Sequence, residues 1–327
     1  MRIGVTYDLK ADYLAMGMSA EDAAEFDGEA TVNAICESLA GLGYEPVRIG
    51  GLARLVEKLA AGERWDGVFN ICEGLYGASR EAAVPALLEA YGIPCVLSDA
   101  LTLALSLDKA MAKRVVRDEG VATADFAVIE RPADAAKVVL PFPVFLKPVA
   151  EGSGKGVGEH SRADDAAALK AQAEYLIERF RQPVLVETYL PGREFTVGIT
   201  GTGAEAEVLG ICEILPLENY AGDGYGLVNK SEGWEDKVAF DYRPKGAEAA
   251  GETALAAWRA LRCRDGGRVD VRCDAGGIPN FIEVNPLAGI RPDYSDLCLI
   301  AKHAGLSYQD LIGRMMASFL KRHPELT

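Results

Sequence analysis

Two alternating runs near the C-terminus, Arg268-Val269-Asp270-Val271-Arg272-Cys273 and Asn280-Phe281-Ile282-Glu283-Val284-Asn285, flank a turn containing Gly276 and Gly277. If those glycines centre a two-residue hairpin turn, strand pairing is symmetric about them. Asp270 then faces Glu283 and Arg268 faces Asn285, all on one side of the ribbon because side chains alternate. Val269, Val271, Ile282 and Val284 take the other side and supply core. Carboxylates opposed across a ladder repel. A hard cation removes that objection, because Mg²⁺ takes one or two carboxylates, a neutral oxygen such as the Asn285 amide, and substrate phosphate oxygens. A hairpin with a solvated polar face carries the same alternation, so the rest of the chain must decide.

The 327 residues suffice for two or three domains. Hydrophobic content of 49% and charged content of 25% describe a soluble globular protein. A net charge of −15 argues against nucleic acid or an anionic membrane as partner, so an anionic ligand needs locally gathered basic residues. Seven cysteines, scattered and without a C-x-x-C pair, read as reduced thiols. No apolar run approaches membrane-spanning length, and Met1–Tyr7 resembles a first strand rather than a signal peptide. The expected localisation is cytoplasmic.

The first hundred residues alternate strand and helix: strands over Ile3–Tyr7, Pro46–Ile49, Trp65–Asn70 and Pro94–Leu97, helices over Glu29–Leu42, Leu52–Ala60 and Glu81–Tyr91. This implies a parallel α/β sheet with covering helices. Ligands then sit beyond the strands' carboxyl ends, at Tyr7-Asp8 and Asn70–Gly74. Residues 8–28 are expected as a long acidic loop. From Asp108 the pattern becomes α+β, with a helix over Lys109–Glu119, strands over Val144–Pro148 and Val184–Thr188, and a helix over Asp165–Phe180. Two strand-like runs follow within 193–215, then a loop over 216–236, the helix Ala249–Leu261, the hairpin, and closing helices Ser295–Ala304 and Tyr308–Lys321. The expected domains are 1–100, 101–187 and 188–327.

Lys147 leads a strand into Glu151-Gly152-Ser153-Gly154-Lys155-Gly156-Val157-Gly158. Its four glycines let backbone N–H groups turn towards an anion, and Ser153 and Lys155 add donors. A P-loop does not fit, because Gly156 follows Lys155 and Val149 stands where the first glycine belongs. A dinucleotide fingerprint at Gly201-Thr202-Gly203 fails because strand, not helix, follows. A mobile surface loop is the plainer reading, and Lys109 and Lys147 at element ends favour phosphate. Glu187 and Glu194 bracket Leu190 at a Pro-Gly bend, an arrangement suited to an adenine amino group and ribose hydroxyls.

Taken in order, Asp108-Lys109, Leu146-Lys147-Pro148, Glu151-Gly152-Ser153, Glu187 with Leu190, Glu194-Phe195-Thr196-Val197, Glu213-Ile214-Leu215-Pro216, Lys230, Arg268-Val269-Asp270-Val271 and Glu283-Val284-Asn285 resemble the ATP-grasp ligases. The likeness is to the D-alanine–D-alanine ligase group. The resemblance implies three domains, with ATP between the central and C-terminal ones. Lys109 and Lys147 would bind phosphates under the loop of Gly152, Ser153, Gly154 and Lys155. Glu187 and Leu190 would meet adenine, Glu194 the ribose, and Lys230 the nucleotide. Asp270, Glu283 and Asn285 would hold two Mg²⁺ ions, with Mn²⁺ able to substitute. Arg268, Ser153 and the backbone near Gly289 would serve the reacting groups. The implied reaction joins a small carboxylate and an amine, amino acids foremost, through an acyl phosphate in a homodimer.

The amino-acid half departs from that pattern. Ser231 stands where the group carries a tyrosine, with Tyr220 and Tyr225 nearby in the loop. The glutamate for the first substrate has two candidates, Glu29 and Glu25. Cys72-Glu73-Gly74 replaces a usual His-Gly, and Arg291 follows the last motif, either to read a substrate carboxylate or to pair with a surface acid. These changes leave open a ligase of other amino acids or small carboxylates, a carboxylase-type ATP-grasp enzyme, or an ATP-binding module without catalysis.

Overall fold

A computed structural model of the chain describes residues 1–220, 224, 226 and 234–326. Strands β1 (Arg2–Tyr7), β2 (Glu45–Gly50), β3 (Gly67–Ile71) and β4 (Cys95–Val96) form a parallel sheet in the order β2-β1-β3-β4. Every residue of β3 is buried, as a central parallel strand covered on both faces requires. One core cluster joins Ile3, Val5 and Phe69 to Val32 and Ile35 of the helix Glu29–Gly41. Leu311, Met315 and Phe319 of the helix Tyr308–Arg322 enter the same cluster, so the chain's last long helix closes its first sheet. Gly67 permits that approach, since a Cβ there would lie 2.7 Å from Phe319 Cζ. Trimming Phe319 to alanine would cost about 3–5 kcal/mol.

A second sheet is antiparallel, with β5 (Phe126–Ile129), β6 (Val144–Pro148), β7 (Arg162–Ala163) and β8 (Val184–Thr188) in the order β5-β8-β6-β7. Its alternation is clean. Val144, Leu146, Val184 and Val186 pack beneath Leu169, Ala173 and Leu176 of the helix Ala166–Phe180. Phe145, Lys147 and Glu187 therefore turn to the opposite side.

The third sheet contains β9 (Glu194–Thr200), β10 (Glu207–Pro216), β11 (Val238–Asp241), β12 (Gly266–Cys273) and β13 (Pro279–Asn285), ordered β11-β10-β9-β12-β13. Phe195, Val197, Val269, Val271, Phe281 and Val284 pack against Ala250, Ala254 and Trp258 of the helix Glu248–Ala260. The other face carries Thr196 beside Asp270 and Asp270 beside Glu283.

The opening hairpin reaches its expected pairing by an unexpected route. Arg268 faces Asn285 and Asp270 faces Glu283, as symmetry about the glycines predicts. The turn itself is longer. Gly277 N donates to the Asp274 carbonyl at 3.0 Å, Asp274 N donates to the Ile278 carbonyl at 2.9 Å, and Gly277 has φ +81°. That is a three-residue loop ending in a left-handed residue, which displaces the pairing by one. A bulge after Asp270 restores it. As a correction, Phe281 rather than Ile282 enters the core opposite Val271, and Ile282 turns to the cleft.

Two further differences stand out. Residues 8–28 contain a helix over Lys10–Ala15 and a 3₁₀ turn over Asp22–Glu25. An unforeseen helix, Ala100–Leu107, ends directly before Asp108. Asp99 caps it at Thr102 N and Asp108 caps the next helix at Met111 N, both at 2.9 Å, so two helices abut through consecutive caps. Most of the expected 216–236 loop, including Tyr225, Lys230 and Ser231, lies outside the described residues.

Candidate active site

A cleft of about 750 Å³ opens between the second and third sheets. Its walls include Phe145, Lys147, Glu187 and Leu190 on one side and Glu194, Asp270, Arg272, Ile282 and Glu283 on the other. Gly154 of the glycine loop lies at its edge. Lys147 Nζ sits 2.9 Å from Glu187 Oε2. The opposite oxygen, Oε1, is 2.5 Å from Lys113 Nζ, which is fully buried and also donates to Thr123 Oγ1 (2.7 Å) and the Phe281 carbonyl (3.1 Å). Two lysines thus share one carboxylate out of water. Burial pushes Lys113 down to about 8 against the pull of Glu187, while Glu187, raised by burial, is lowered overall by the two lysines. Arg272 and Glu194, neighbours across β12 and β9, approach to 3.3 Å.

The polar face of β12 and β13 forms the floor. Thr196 Oγ1 donates to Asp270 Oδ1 at 2.5 Å. Arg268 Nη1 reaches both Asp270 oxygens, at 2.7 and 2.8 Å, and Asn285 Nδ2 donates to Oδ2 at 3.3 Å. Glu283 Oε2 lies 3.5 Å from Lys109 Nζ, whose other bond goes to the Glu151 carbonyl. Among the described residues no three His, Cys, Asp or Glu side chains converge as an all-protein metal cage. Two carboxylates and an amide fit a cation that completes its shell with substrate phosphates, which is how Mg²⁺ is usually held. Arg268 occupies the Asp270 carboxylate here and would have to share it with the cation.

A second pocket, about 690 Å³, adjoins the first, and Glu283 lines both. Gly152, Ser153, Lys109, Arg268, Asn285 and Gly289 line it with Glu25, Glu73, Glu81 and Glu151. Glu25 arrives from the 3₁₀ turn of the segment after β1. Its Oε1 accepts from Gly152 N at 2.7 Å and lies 3.3 Å from Lys155 Nζ, and its Oε2 lies 3.3 Å from Arg80. Burial opposes its charge, but Arg80 and Lys155 outweigh that and hold its pKa below the usual range. The glycine loop is thereby tied to the N-terminal segment. Glu73 leaves the end of β3 and is set by Gly74, whose φ of +69° leaves no room for a Cβ, since one would meet the Arg80 carbonyl at 2.4 Å.

Most of the residues singled out in the sequence gather here, on one wall or the other. Three do not. Glu29 is exposed, bonded to Arg48 at 2.5 Å, and lines neither pocket. Glu25, the other candidate, lines the second pocket. Lys155 bonds Glu151 at 2.7 Å and Glu25, rather than lining either pocket. Arg291 is exposed and lies over the Tyr294 ring at 4.7 Å. Lys113 and Arg272 went unread, although each carries a positional signal: Lys113 is one helical turn beyond Lys109, and Arg272 continues the 268, 270 alternation.

A family model described as the C-terminus of D-ala D-ala ligase matches residues 115–317. A D-alanine–D-alanine ligase from Cupriavidus taiwanensis is 32% identical over 290 residues, covering 86% of this chain and 83% of that one. Another from Bordetella petrii is 34% identical over 267 residues, covering 80% and 77%. Among solved structures, a D-alanine–D-alanine ligase from Bacillus anthracis complexed with ATP shares the fold at a TM-score of 0.73 and 24% identity, with 100% of each chain covered. Fold, cleft and relatives agree, and the chain belongs to the D-alanine–D-alanine ligase family of ATP-grasp enzymes.

Proposed function

We propose that this ATP-grasp ligase joins a small carboxylate to an amine, both amino acids, with ADP and phosphate as the other products. The observation that carries the reading is Glu283, shared by the nucleotide cleft and the adjoining pocket and 3.5 Å from Lys109. A γ-phosphoryl group delivered there meets a carboxylate held by Arg268 and the backbone near Gly289. The substrate carboxylate oxygen attacks phosphorus in line and ADP departs, leaving an acyl phosphate. The amine then attacks the carbonyl carbon, the tetrahedral oxyanion rests on Arg268, and phosphate leaves as the nitrogen loses its proton.

Lys109 and Lys147 are assigned to the phosphates, with Gly152, Ser153 and Gly154 closing over them. Glu187 and Leu190 are assigned to adenine, Glu194 to the ribose. Asp270, Glu283 and Asn285 are assigned to Mg²⁺, two ions by the family resemblance, which would neutralise charge on the phosphoryl oxygens. Glu25, not Glu29, is the glutamate beside the first substrate. The three sheets support domains 1–100, 101–187 and 188–327, with the final helix returning to the first. Seven unpaired cysteines support a reducing, cytoplasmic setting. No helix among the described residues is long and apolar enough to cross a membrane. Met16, Leu52 and Tyr76 around a broad N-terminal depression support a homodimer through that region.

The test is phosphate release from ATP with single and paired amino acids, followed by mass analysis of the product. An amide product with stoichiometric ADP is expected. ATP binding without amino-acid-dependent ADP formation would overturn the ligase reading.

A further inference from the structure

The row of paired residues that carries Arg268 across the third sheet begins with two glycines. Gly210 of β10 pairs with Gly198 of β9, Gly198 with Arg268 of β12, and Arg268 with Asn285 of β13. The row shares the cleft face with Thr196 and Asp270, which lie two residues away along their strands. Bare backbone at the two glycines leaves a notch, and the helix Asp296–His303 rests in it. A Cβ on Gly198 would lie 3.0 Å from Ile300 Cγ2 and 3.2 Å from Leu297 Cδ1, and one on Gly210 would lie 2.8 Å from Ile300 Cγ2. Leu297, Cys298 and Ala301 of the same helix belong to the core cluster that contains Ile3 and Phe69 of the first sheet. The helix is therefore held by both sheets. Its first residue, Asp296, is set down beside Arg268, with Oδ2 3.7 Å from Nη1.

An acid in the first turn of a helix is ordinary dipole chemistry. Here the carboxylate also has a specific cationic neighbour, and the two side chains are only 24% and 13% exposed, so water screens them weakly. Arg268 Nη1 lies 2.7 and 2.8 Å from the Asp270 oxygens and 3.3 Å from Thr196 Oγ1, which makes Asp270 the nearer of its two acids. Asp270 is also the carboxylate assigned to the cation, and its oxygens already receive Thr196 and Asn285. A cation drawn to Asp270 repels the guanidinium at close range. Asp296 is the acid that no such cation claims, since it lines neither the cleft nor the adjoining pocket.

We propose that Asp296 is a positioning residue: when a cation occupies Asp270, Asp296 takes over the Arg268 guanidinium and keeps it at the reacting carboxyl group. The inference rests on the ligase reading above and adds a residue to it. Asp296 acts through Arg268, which moves on its side-chain torsions while the strand row stays in register. Without the Asp296 charge, Arg268 has Asp270 as its remaining acid of the two and competes with the cation for it. Cation affinity and support of the oxyanion then fall together.

The experiment combines Mn²⁺ binding with turnover in the full chain. Mn²⁺ affinity is read from the spin-resonance signal of the free ion with a non-hydrolysable ATP analogue present. Asp296→Asn is expected to raise the Mn²⁺ Kd about three- to tenfold. At saturating Mg²⁺ it should lower kcat for amino-acid-dependent ADP formation about 10- to 100-fold and leave KM for ATP within about threefold. Asp296→Glu keeps the charge and should return both Kd and kcat to within about threefold of the unaltered protein. In an Arg268→Met background, Asp296→Asn should change the Mn²⁺ Kd by less than about twofold, because the effect runs through Arg268. An equal shift in both backgrounds overturns the inference, since Asp296 would then act on the cation directly. A folded Asp296→Asn variant with unchanged Kd and kcat overturns it as well. Thermal melts check folding, and Asp296→Ser, which keeps an oxygen in the first turn, takes the place of an Asn variant that does not fold. Absence of ADP formation by the unaltered protein overturns the ligase reading, and the Mn²⁺ cycle then decides by itself whether Asp296 governs Arg268.

Discussion

The proposed nucleotide cleft and the pocket next to it meet at Glu283, yet they match their acids differently. In the cleft one carboxylate, Glu187, is enclosed by two lysines, and Arg272 is matched to Glu194. Around Glu187 the local balance is therefore positive by one charge, on the wall where the phosphates are assigned. In the pocket, Glu73 and Glu81 form no ion pair among the described residues, while Arg80, Lys155 and Lys109 pair with other acids. The surplus there is negative. A net charge of −15 says nothing about either region, because a few buried groups set each local field.

The shared residue should be the most sensitive point of the contrast. Glu283→Gln keeps the shape and removes the charge that faces Lys109 and a bound cation. Turnover should fall about 10²- to 10⁴-fold, the scale of a metal's stabilisation of phosphoryl charge, with little change in the melting temperature. Single-turnover ADP formation reads the chemical step directly. A variant keeping most of its activity would take Glu283 out of the metal site.

Within the cleft, the two sides of the buried triad should respond unequally. Glu187→Gln leaves Lys113 and Lys147 unbalanced together and should cost about 3–5 kcal/mol of stability. Lys113→Met leaves a neutral Lys147–Glu187 pair and should cost far less. Urea titrations of both variants decide the matter, and equal losses would mean that Glu187 is not the triad's counter-ion.

How far each region could be read in the sequence follows the same divide. The cleft was legible because its groups ride on regular strands. Alternation alone puts Asp270 and Glu283 on one face and Lys147 opposite the core. Even so, the pairing of Asp270 with Glu283 survives only because a longer turn and a bulge at Ile282 cancel. Neither irregularity has a strong local signature. The pocket was less legible because its residues come from irregular segments, and their convergence is a tertiary fact. Glu25 sits in a 3₁₀ turn, Glu73 in the irregular segment before Gly74, Glu81 at another 3₁₀ turn. Helix-start position made Glu29 look equivalent to Glu25, and only the packing of residues 8–28 against the glycine loop separates them.

That separation is itself testable. Glu25→Gln should lower kcat/KM for the carboxylate substrate about 10- to 100-fold, since it leaves Arg80 and Lys155 without their acid and loosens Gly152. Glu29→Gln should remain within about twofold, because a solvent-facing pair with Arg48 contributes little. Steady-state kinetics with saturating ATP measures both. A reversed ranking would return the substrate role to Glu29.

The smallest effect expected is a pH dependence confined to the cleft. Lys113 has a folded pKa of about 8, below its ordinary value of 10.5. Between those values the unfolded chain binds more protons than the folded one, so this group makes the protein more stable as pH rises from about 8 to 10.5. Nucleotide binding should run the other way. Below pH 8 a charged Lys113 balances Glu187 and leaves Lys147 free to turn to phosphate. Above it Lys113 is neutral, Glu187 holds Lys147 more firmly, and KM for ATP should rise roughly three- to tenfold by about pH 9.5. Lys113→Met lacks the titrating group and should show neither trend. A KM that climbs with pH equally in both proteins would assign the titration elsewhere, and one that falls would show that Lys113 does not govern the release of Lys147.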